Sequence, residues 1–473
     1  MRNKLETFTQ FTELLYPHEI EYLISIQQFS KDVNLRILHL IHFNSKNPFN
    51  TLPFDGEIDK RTYSYLKKWI TESLNKIDVD IFFEWLTQID KQVMTDAIIP
   101  DQERQILDYT RIITPGHYYF IRFYELILSY RDYLLIRIRN RFYKPIINYL
   151  DINQEAYLRC KEINEKLNDA TIDIIRQHET IDRESKHWEN LLLETFYNKH
   201  LDGYSRYRAA VRLTFMYYNY REFEKLRELY SELDRSFKSE VFYSPRLMAN
   251  YYANRAMMHS KLGELEESEK YGYLSIRHPN SDYLFYLVNL CGVLLKQNKN
   301  EIALKLMSSS IPMLKQTNSF YNRIGFVAFY VRTLLANKQV DKAIDYAGNY
   351  LECFKKEIFA HRWHLFFDAY FRVLLHGEKY GRILHLSKRF SLIQKERQFV
   401  GKSQYLPILL WYTTAADYLE NNLNAEQTKQ IIYKSALLLI ENKYKEQKIK
   451  ELLNIIHSHL PDIIQAVRKE LHL

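Results

Sequence analysis

The sequence predicts an all-α protein: a helical N-terminal region followed by an α-solenoid of antiparallel helix pairs. Gly and Pro contribute 11 residues each out of 473, while aromatic residues reach 15%. Sandwiches, barrels and collagen-like chains need frequent Gly or Pro. The phosphate loops of Rossmann and P-loop enzymes need clustered glycines, which this chain lacks. A repeat in the C-terminal half then indicates how the helices are arranged.

Charge, cysteine content and hydropathy exclude several classes of protein. The net charge of +8 is mild for 473 residues and does not by itself indicate nucleic-acid binding. Cys160, Cys291 and Cys353 lie far apart, so the sequence predicts neither a disulfide framework nor a cysteine zinc site. The longest uncharged stretches, 283–295 and 403–416, are shorter than the ~20 residues of a spanning helix. We expect no membrane insertion, no cofactor, no metal and a cytoplasmic location.

Three segments follow from the distribution of helix breakers: 1–115, 116–200 and 201–473. In the first segment we expect short helices separated by loops, and the Thr-Pro-Gly sequence at 114–116 marks its end. From 117 to 143 no breaker occurs, so one helix is expected until Pro145 stops or kinks it. A second long helix is expected from about residue 153 to about residue 200.

Residues of that second long helix recur with a seven-residue period. The series comprises Cys160, Leu167, Ile174, Ile181 and Trp188. Two interpretations remain open: the helix packs along its neighbour at 117–143, or two copies of the chain form a coiled coil. Gln177 and Glu184 interrupt the companion positions, which favours packing within one chain. A homodimer through 153–199 is the alternative.

The C-terminal half contains a repeated helix–turn–helix pattern. The segments LLKQNKNEIA (294–303), LLANKQVDKA (334–343) and LLHGEKYGRI (374–383) recur at a constant spacing. Each places a Leu pair near the end of one helix, then a polar turn, then a small or apolar residue inside the next helix. HSKLGELEES (259–268) is an earlier relative, and YNYREFEKL (218–226) a more degenerate one. Small residues at such places let paired helices approach closely.

This pattern resembles the tetratricopeptide repeat family over about residues 200–390, and the residues from there to 473 are expected to form a C-terminal helical cap. The likeness is carried by Asn254, Ala256, Leu262, Gly263, Leu265, Ser268, Ser275, Ile276 and Pro279 in one copy, and by Asn289, Cys291, Ala303, Ser310 and Ile311 in the next. The steps, of about 35 and about 40 residues, depart from the family's usual 34. Gly272 also stands where an aromatic residue is expected, and Tyr350 where a small one is. The resemblance implies a groove that binds peptides or partner domains, and it implies no reaction.

The leading functional hypothesis is therefore a non-catalytic adaptor or regulatory protein that binds a partner protein or peptide. The first helix of each pair supplies the candidate groove residues Tyr252, Asn254, Asn289, Tyr321 and Arg332. Asn side-chain amides can pair with a peptide backbone, and Tyr and Arg are favoured residues at binding hot spots.

Two groups of basic residues support an alternative, a nucleic-acid-binding subunit of a larger complex. The candidates are Arg131, Arg137, Arg141, Lys144, Arg206, Arg208 and Arg212. On one long helix, Arg137, Arg141 and Lys144 would share a face with interleaved tyrosines, a combination suited to phosphates and stacked bases. The competing interpretation is that acidic residues on neighbouring helices pair with these side chains.

A third hypothesis is a helical ribonuclease, because Arg36 with His42 and Arg111 with His117 loosely resemble the HEPN family. The polar residue that usually follows the Arg in that family is missing at both places. One further group could present metal ligands along a helix: His361, His364 and Asp368. Without a supporting motif, the sequence predicts no enzyme and no metal site.

Overall fold

A computed structural model describes residues 5–48, 50–179, 185–237, 242–400, 405–440 and 443–473. Within these residues the chain forms 25 α-helices and no strand, so the predicted all-α class is confirmed. Among them, no helix is both long and apolar enough to cross a bilayer. Met1–His178 with Asp182–Leu262 forms one compact unit, and Glu179–Ile181 with Gly263–Leu473 forms another. The division into 1–115, 116–200 and 201–473 stays a prediction.

The first unit is built from twelve of the described helices. They are α1 (Glu6–Glu13), α2 (Pro17–Ile26), α3 (Asp32–Lys46), α4 (Lys60–Ile77), α5 (Val79–Met94), α6 (Pro100–Ile112), α7 (Phe120–Ile136), α8 (Asn140–Glu179), α9 (Glu189–Tyr197), α10 (Gly203–Tyr220), α11 (Phe223–Phe237) and α12 (Pro245–Leu262). Side-chain caps define several starts. The Asp78 carboxylate accepts the Asp80 N–H at 2.8 Å, and the Asp202 carboxylate accepts the Ser205 N–H at 2.9 Å.

The long helix expected over 117–143 is interrupted, because α7 ends at Ile136 and α8 begins at Asn140. Ile138 takes a left-handed conformation with φ of 54° between them. Helix α8 instead continues through Pro145, which lies near its start. The sequence expectation was wrong here because a β-branched residue is a poor candidate for a left-handed turn. The second long helix does not run unbroken to about residue 200: α8 is described as far as Glu179, and a separate helix, α9, begins at Glu189.

Three members of the seven-residue series lie on the described part of α8 and are buried within the chain, whereas Trp188, the last member, lies outside α8 and is half-buried. Cys160 and Leu167 are 0% exposed and Ile174 is 3% exposed. Polar contacts fix α10 beside this stretch, including Asn164 Nδ2 to Ser205 Oγ at 2.7 Å. Ile181 and Glu184 lie outside the described residues, as does the side chain of Gln177. The homodimer through 153–199 stays a prediction. In this structure α10 already covers part of the α8 surface that such a dimer would use.

The second unit is a succession of helix pairs. Its helices are α13 (Leu265–Ser275), α14 (Tyr283–Lys296), α15 (Asn300–Gln316), α16 (Phe320–Ala336), α17 (Val340–Cys353), α18 (Lys355–His361), α19 (Trp363–His376), α20 (Tyr380–Arg389), α21 (Leu392–Arg397), α22 (Ile408–Leu419), α23 (Ala425–Ile440), α24 (Lys443–His457) and α25 (Pro461–Leu471). We call α14, α16, α19 and α22 the first helices, and α15, α17, α20 and α23 their second helices. Each first helix packs on its own second helix and on the next first helix, and one continuous apolar core joins the pairs.

The turns inside the pairs share one geometry. Asn298, Lys338 and Glu378, which occupy equivalent places in three successive pairs, have φ between 54° and 60°. In each case the next residue donates its N–H to a Leu carbonyl five positions earlier, at 2.9 Å. This is the closing hydrogen bond of a Schellman motif, usually formed around Gly. The same φ and hydrogen bond occur at Asp96, Ile138, Arg221 and Asn421.

Candidate functional site

Three of the five predicted groove residues lie on neighbouring first helices of the second unit. Asn289 is on α14, and Tyr321 and Arg332 are on α16. Gly292, one turn after Asn289, lies so close to α16 that an added Cβ would be 3.2 Å from the Phe329 ring. Helical spacing places Tyr321, Phe329 and Arg332 on one side of α16. These residues therefore share a surface.

A residue that the sequence analysis missed completes this surface. The Arg362 guanidinium lies 4.2 Å from the centre of the Tyr321 ring, within the range of a cation–π interaction. It also rests on Gly325, where an added Cβ would lie 2.5 Å from Arg362 Nη1 and would displace the guanidinium. Tyr321 is 49% exposed, so this stacked pair is open to solvent. We call Asn289, Tyr321, Phe329, Arg332 and Arg362 the first-helix surface.

The charge of the first-helix surface is positive. Arg332 forms an ion pair with Asp368 on α19, and Tyr412 also donates to that carboxylate, at 3.4 Å. Arg362 has no acidic partner in the described part of the chain. Burial lowers the pKa of Arg362, and the positive charge of Arg332 lowers it further, whereas Tyr321 raises it. A cation that is partly desolvated and unpaired at an open surface favours an anionic ligand.

Tyr252 and Asn254 belong to the first unit, on α12. Tyr252 is 1% exposed, and its hydroxyl lies 2.6 Å from His18 Nδ1. The predicted groove position is thus a buried hydrogen-bonding position in this unit. Asn254 is half-buried and donates to the Asn250 side chain at 3.0 Å. The structure gives neither residue an open binding surface of its own.

The first basic group does not form one helical face. Arg137 directly follows α7, whereas Arg141 and Lys144 lie on α8, beyond the turn at Ile138. Arg137 pairs with Asp96 at 2.6 Å and Arg131 with Asp132 at 2.8 Å. Arg141 and Lys144 have no ion pair in the described residues. The helix break, which the sequence did not predict, separates the residues expected to act together.

The second basic group holds helices together. Arg208 donates to Asn168 at 2.6 Å, and Arg212 donates to Thr171 at 2.6 Å, so both side chains join α10 to α8. Arg206 is 8% exposed and its Nε–H donates to the Phe196 carbonyl oxygen at 3.0 Å. Along α8, Lys144 and Asn164 are separated by about 30 Å, given the 1.5 Å rise per residue. The two basic groups therefore lie far apart.

The candidate metal and nuclease residues are engaged in separate contacts. His364 Nε2 lies 2.8 Å from Glu396 Oε1, whereas Asp368 pairs with Arg332. The ring of His361 stacks near Phe320, with 6.3 Å between ring centres. Within the described ranges, no three His, Cys, Asp or Glu residues lie close enough together to hold a metal ion.

Both pairs that resemble the HEPN motif are likewise occupied. Arg36 pairs with Asp32 at 3.1 Å, and His42 lies 3.4 Å from Glu21. Burial lowers the pKa of His117 to about 4, which makes its imidazole neutral at pH 7. Neither pair shows an Arg–His contact.

Comparison with known proteins does not identify a family for this chain: no family model, curated protein or solved structure matches it.

Proposed function

We propose that the protein is a non-catalytic adaptor that binds an acidic peptide segment of a partner protein through the first-helix surface. The observation that carries the proposal is the solvent-open stack of Arg362 on Tyr321. Tyr and Arg dominate the binding energy of many interfaces, and this Arg has no acidic partner in the described residues. Its cation is therefore available to a carboxylate of the partner.

The repeated helix pairs support the same function. We infer that the second unit is a divergent solenoid of the tetratricopeptide-like kind, with first helices packed side by side. Such an arrangement presents the exposed sides of several helices as one extended surface, on which a peptide can contact successive pairs. The step of about 40 residues between pairs also lies close to that of other helix-pair repeats. In this proposal the protein works in the cytoplasm.

A nucleic-acid-binding role has less support from the geometry. Five of the seven candidate cations are buried, paired or hydrogen-bonded to other helices. Arg141 and Lys144 are the two that stay unpaired in the described chain. A phosphate-tracking surface needs several such cations in a row.

The proposal can be tested by selecting peptides from a phage-displayed library on the full chain and measuring their affinity by fluorescence polarisation. Peptides rich in Asp and Glu are expected to be selected. Tyr321→Ala with Arg362→Gln is expected to weaken binding about 30-fold, as loss of a hot spot worth about 2 kcal/mol does.

The matched control is Lys342→Gln, an exposed position on α17, and it should bind like the unmodified protein. Selection of peptides that bind the double variant as tightly as the unmodified chain would show that the first-helix surface is not the binding site.

A further inference from the structure

The first unit contains a cavity of about 1040 Å³, lined by none of the residues of the first-helix surface. It lies beside the start of α5, the segment between α6 and α7, and the ends of α9 and α11. Its volume matches the upper range of pockets that enclose small molecules, about 300–1,000 Å³.

Aromatic rings form one wall of this cavity. Trp85 and Tyr109 have ring centres 4.3 Å apart, and Phe82 lies 5.3 Å from Tyr109 and 4.6 Å from His117. His117 is neutral at pH 7, as described above, so this part of the wall carries no charge. Tyr197, 53% exposed, also lines the cavity. Such a wall suits a flat apolar group, which can stack on the ring faces.

Arg206 supplies a buried cation to the same cavity. Its Nε–H is used by the Phe196 carbonyl, and its guanidinium lies 5.1 Å from the Phe242 ring centre. No carboxylate forms an ion pair with it in the described residues, which leaves both Nη amino groups without an acidic partner there. A guanidinium that is more than nine-tenths buried is normally paired with an acid. The charge of Asp202 opposes the lowering of the Arg206 pKa by burial, but the two side chains form no ion pair in the described residues. The guanidinium can therefore still take an anionic ligand as its direct partner.

The remaining charged groups around the cavity also favour an anion. Lys76 and Lys199 line it, are exposed and have no ion pair in the described chain. Of the two acidic residues in its lining, Glu232 pairs with Arg235, and Asp78 caps the N-terminus of α5. The net charge of the lining is therefore positive.

We propose that this cavity binds a small organic anion, whose carboxylate or phosphate pairs with the Arg206 guanidinium while its flat apolar body packs on the aromatic wall. The aromatic wall and the Arg206 cation would serve different parts of one ligand. A purely apolar ligand would need no buried cation, and an inorganic anion would need no aromatic wall. Together the wall and the cation select a molecule with both properties.

The test uses the fluorescent anion 8-anilinonaphthalene-1-sulfonate and the full chain. We expect one saturable site per chain and an affinity at least tenfold weaker in Arg206→Met. Arg208→Met is the matched control, since Arg208 lies two residues away and bonds to α8 instead; its affinity should stay within twofold. Circular dichroism and thermal melting establish that each variant is folded.

Competition distinguishes the two kinds of anion. Displacement of the dye by indole-3-acetate assigns a carboxylate ligand, and displacement by adenosine monophosphate assigns a phosphate. Failure of both, or equal displacement by neutral indole-3-ethanol, overturns the proposal. Equal dye affinity in the unmodified chain and Arg206→Met overturns it as well.

A second variant decides the matter if Arg206→Met does not fold. Tyr197→Ala removes a half-exposed ring from the cavity without opening the core. At least threefold weaker dye binding is expected, and unchanged affinity in this variant contradicts the assignment of the cavity.

Discussion

Asp234 on α11 connects three helices of the first unit, and its replacement by Asn gives a sharp test of the packing. The carboxylate lies 2.9 Å from His18 Nε2 on α2 and accepts hydrogen bonds from Tyr251 and Arg255 on α12. Asp234→Asn keeps the shape of the side chain and removes its charge. The two donors on α12 then face a weaker acceptor.

The expected loss of stability follows from the pKa of this group. Burial alone would raise the pKa of Asp234, but the hydrogen bond from His18 and the charge of Arg255 outweigh burial and lower the pKa to about 2. Relative to a usual value near 3.9, this shift favours folding by about 2–3 kcal/mol at pH 7. Because the folded-state pKa is the lower one, the contribution is present above about pH 4. It is lost as the pH falls towards 2.

Urea denaturation followed by circular dichroism measures this effect. The difference in free energy of unfolding between the unmodified chain and Asp234→Asn is expected to be about 2–3 kcal/mol at pH 7 and about 1 kcal/mol at pH 3. Asp169→Asn, an exposed position on α8, should change stability by no more than about 0.5 kcal/mol. Equal stability at pH 7, or a difference that does not shrink at pH 3, would refute the assigned role of Asp234.

Two further predictions concern backbone strain and thiol reactivity. Ile138→Gly is expected to raise the free energy of unfolding by about 1 kcal/mol, because φ of 54° is unfavourable for a residue with a Cβ. Ile138→Val should leave urea stability unchanged, and a glycine variant no more stable than the original would contradict the strain. Cys353 is exposed, whereas burial raises the pKa of Cys160 and Cys291 to about 12. Ellman's reagent should therefore titrate one thiol rapidly in the native protein and three in urea; fast reaction of a second native thiol would contradict this burial.

The helix pairs of the second unit could be predicted because local signals specify them. The Leu pair and polar turn recur at 294–303, 334–343 and 374–383, and the structure places a helix end and a helix start at each. The same signal occurs in LLIRIRN at 134–140, with a Leu pair followed by Asn as in LLKQNKN. It was overlooked because the apolar residues of that segment suggested a continuous helix.

The binding sites were predictable only in part. Asn289, Tyr321 and Arg332 follow from their places in the repeat, which fixes their helical face. Arg362 was missed because its contact with Tyr321 depends on Gly325, a small residue far earlier in the chain whose role is visible only in three dimensions. Arg206 looked like a member of an exposed cluster, since its burial against α9 is a long-range property.

Because the turns at Asn298, Lys338 and Glu378 share one geometry, a whole repeat between two of them can be removed or duplicated without changing the turn. Removal of residues 299–338 would join Asn298 directly to Gln339 and restore an equivalent turn, with its Leu carbonyl acceptor in place. Duplication of the same segment would add one helix pair and would form the same turn at the new junction. The array can thus shorten or lengthen by whole helix pairs, and each pair changes the number of helices on which a ligand can lie.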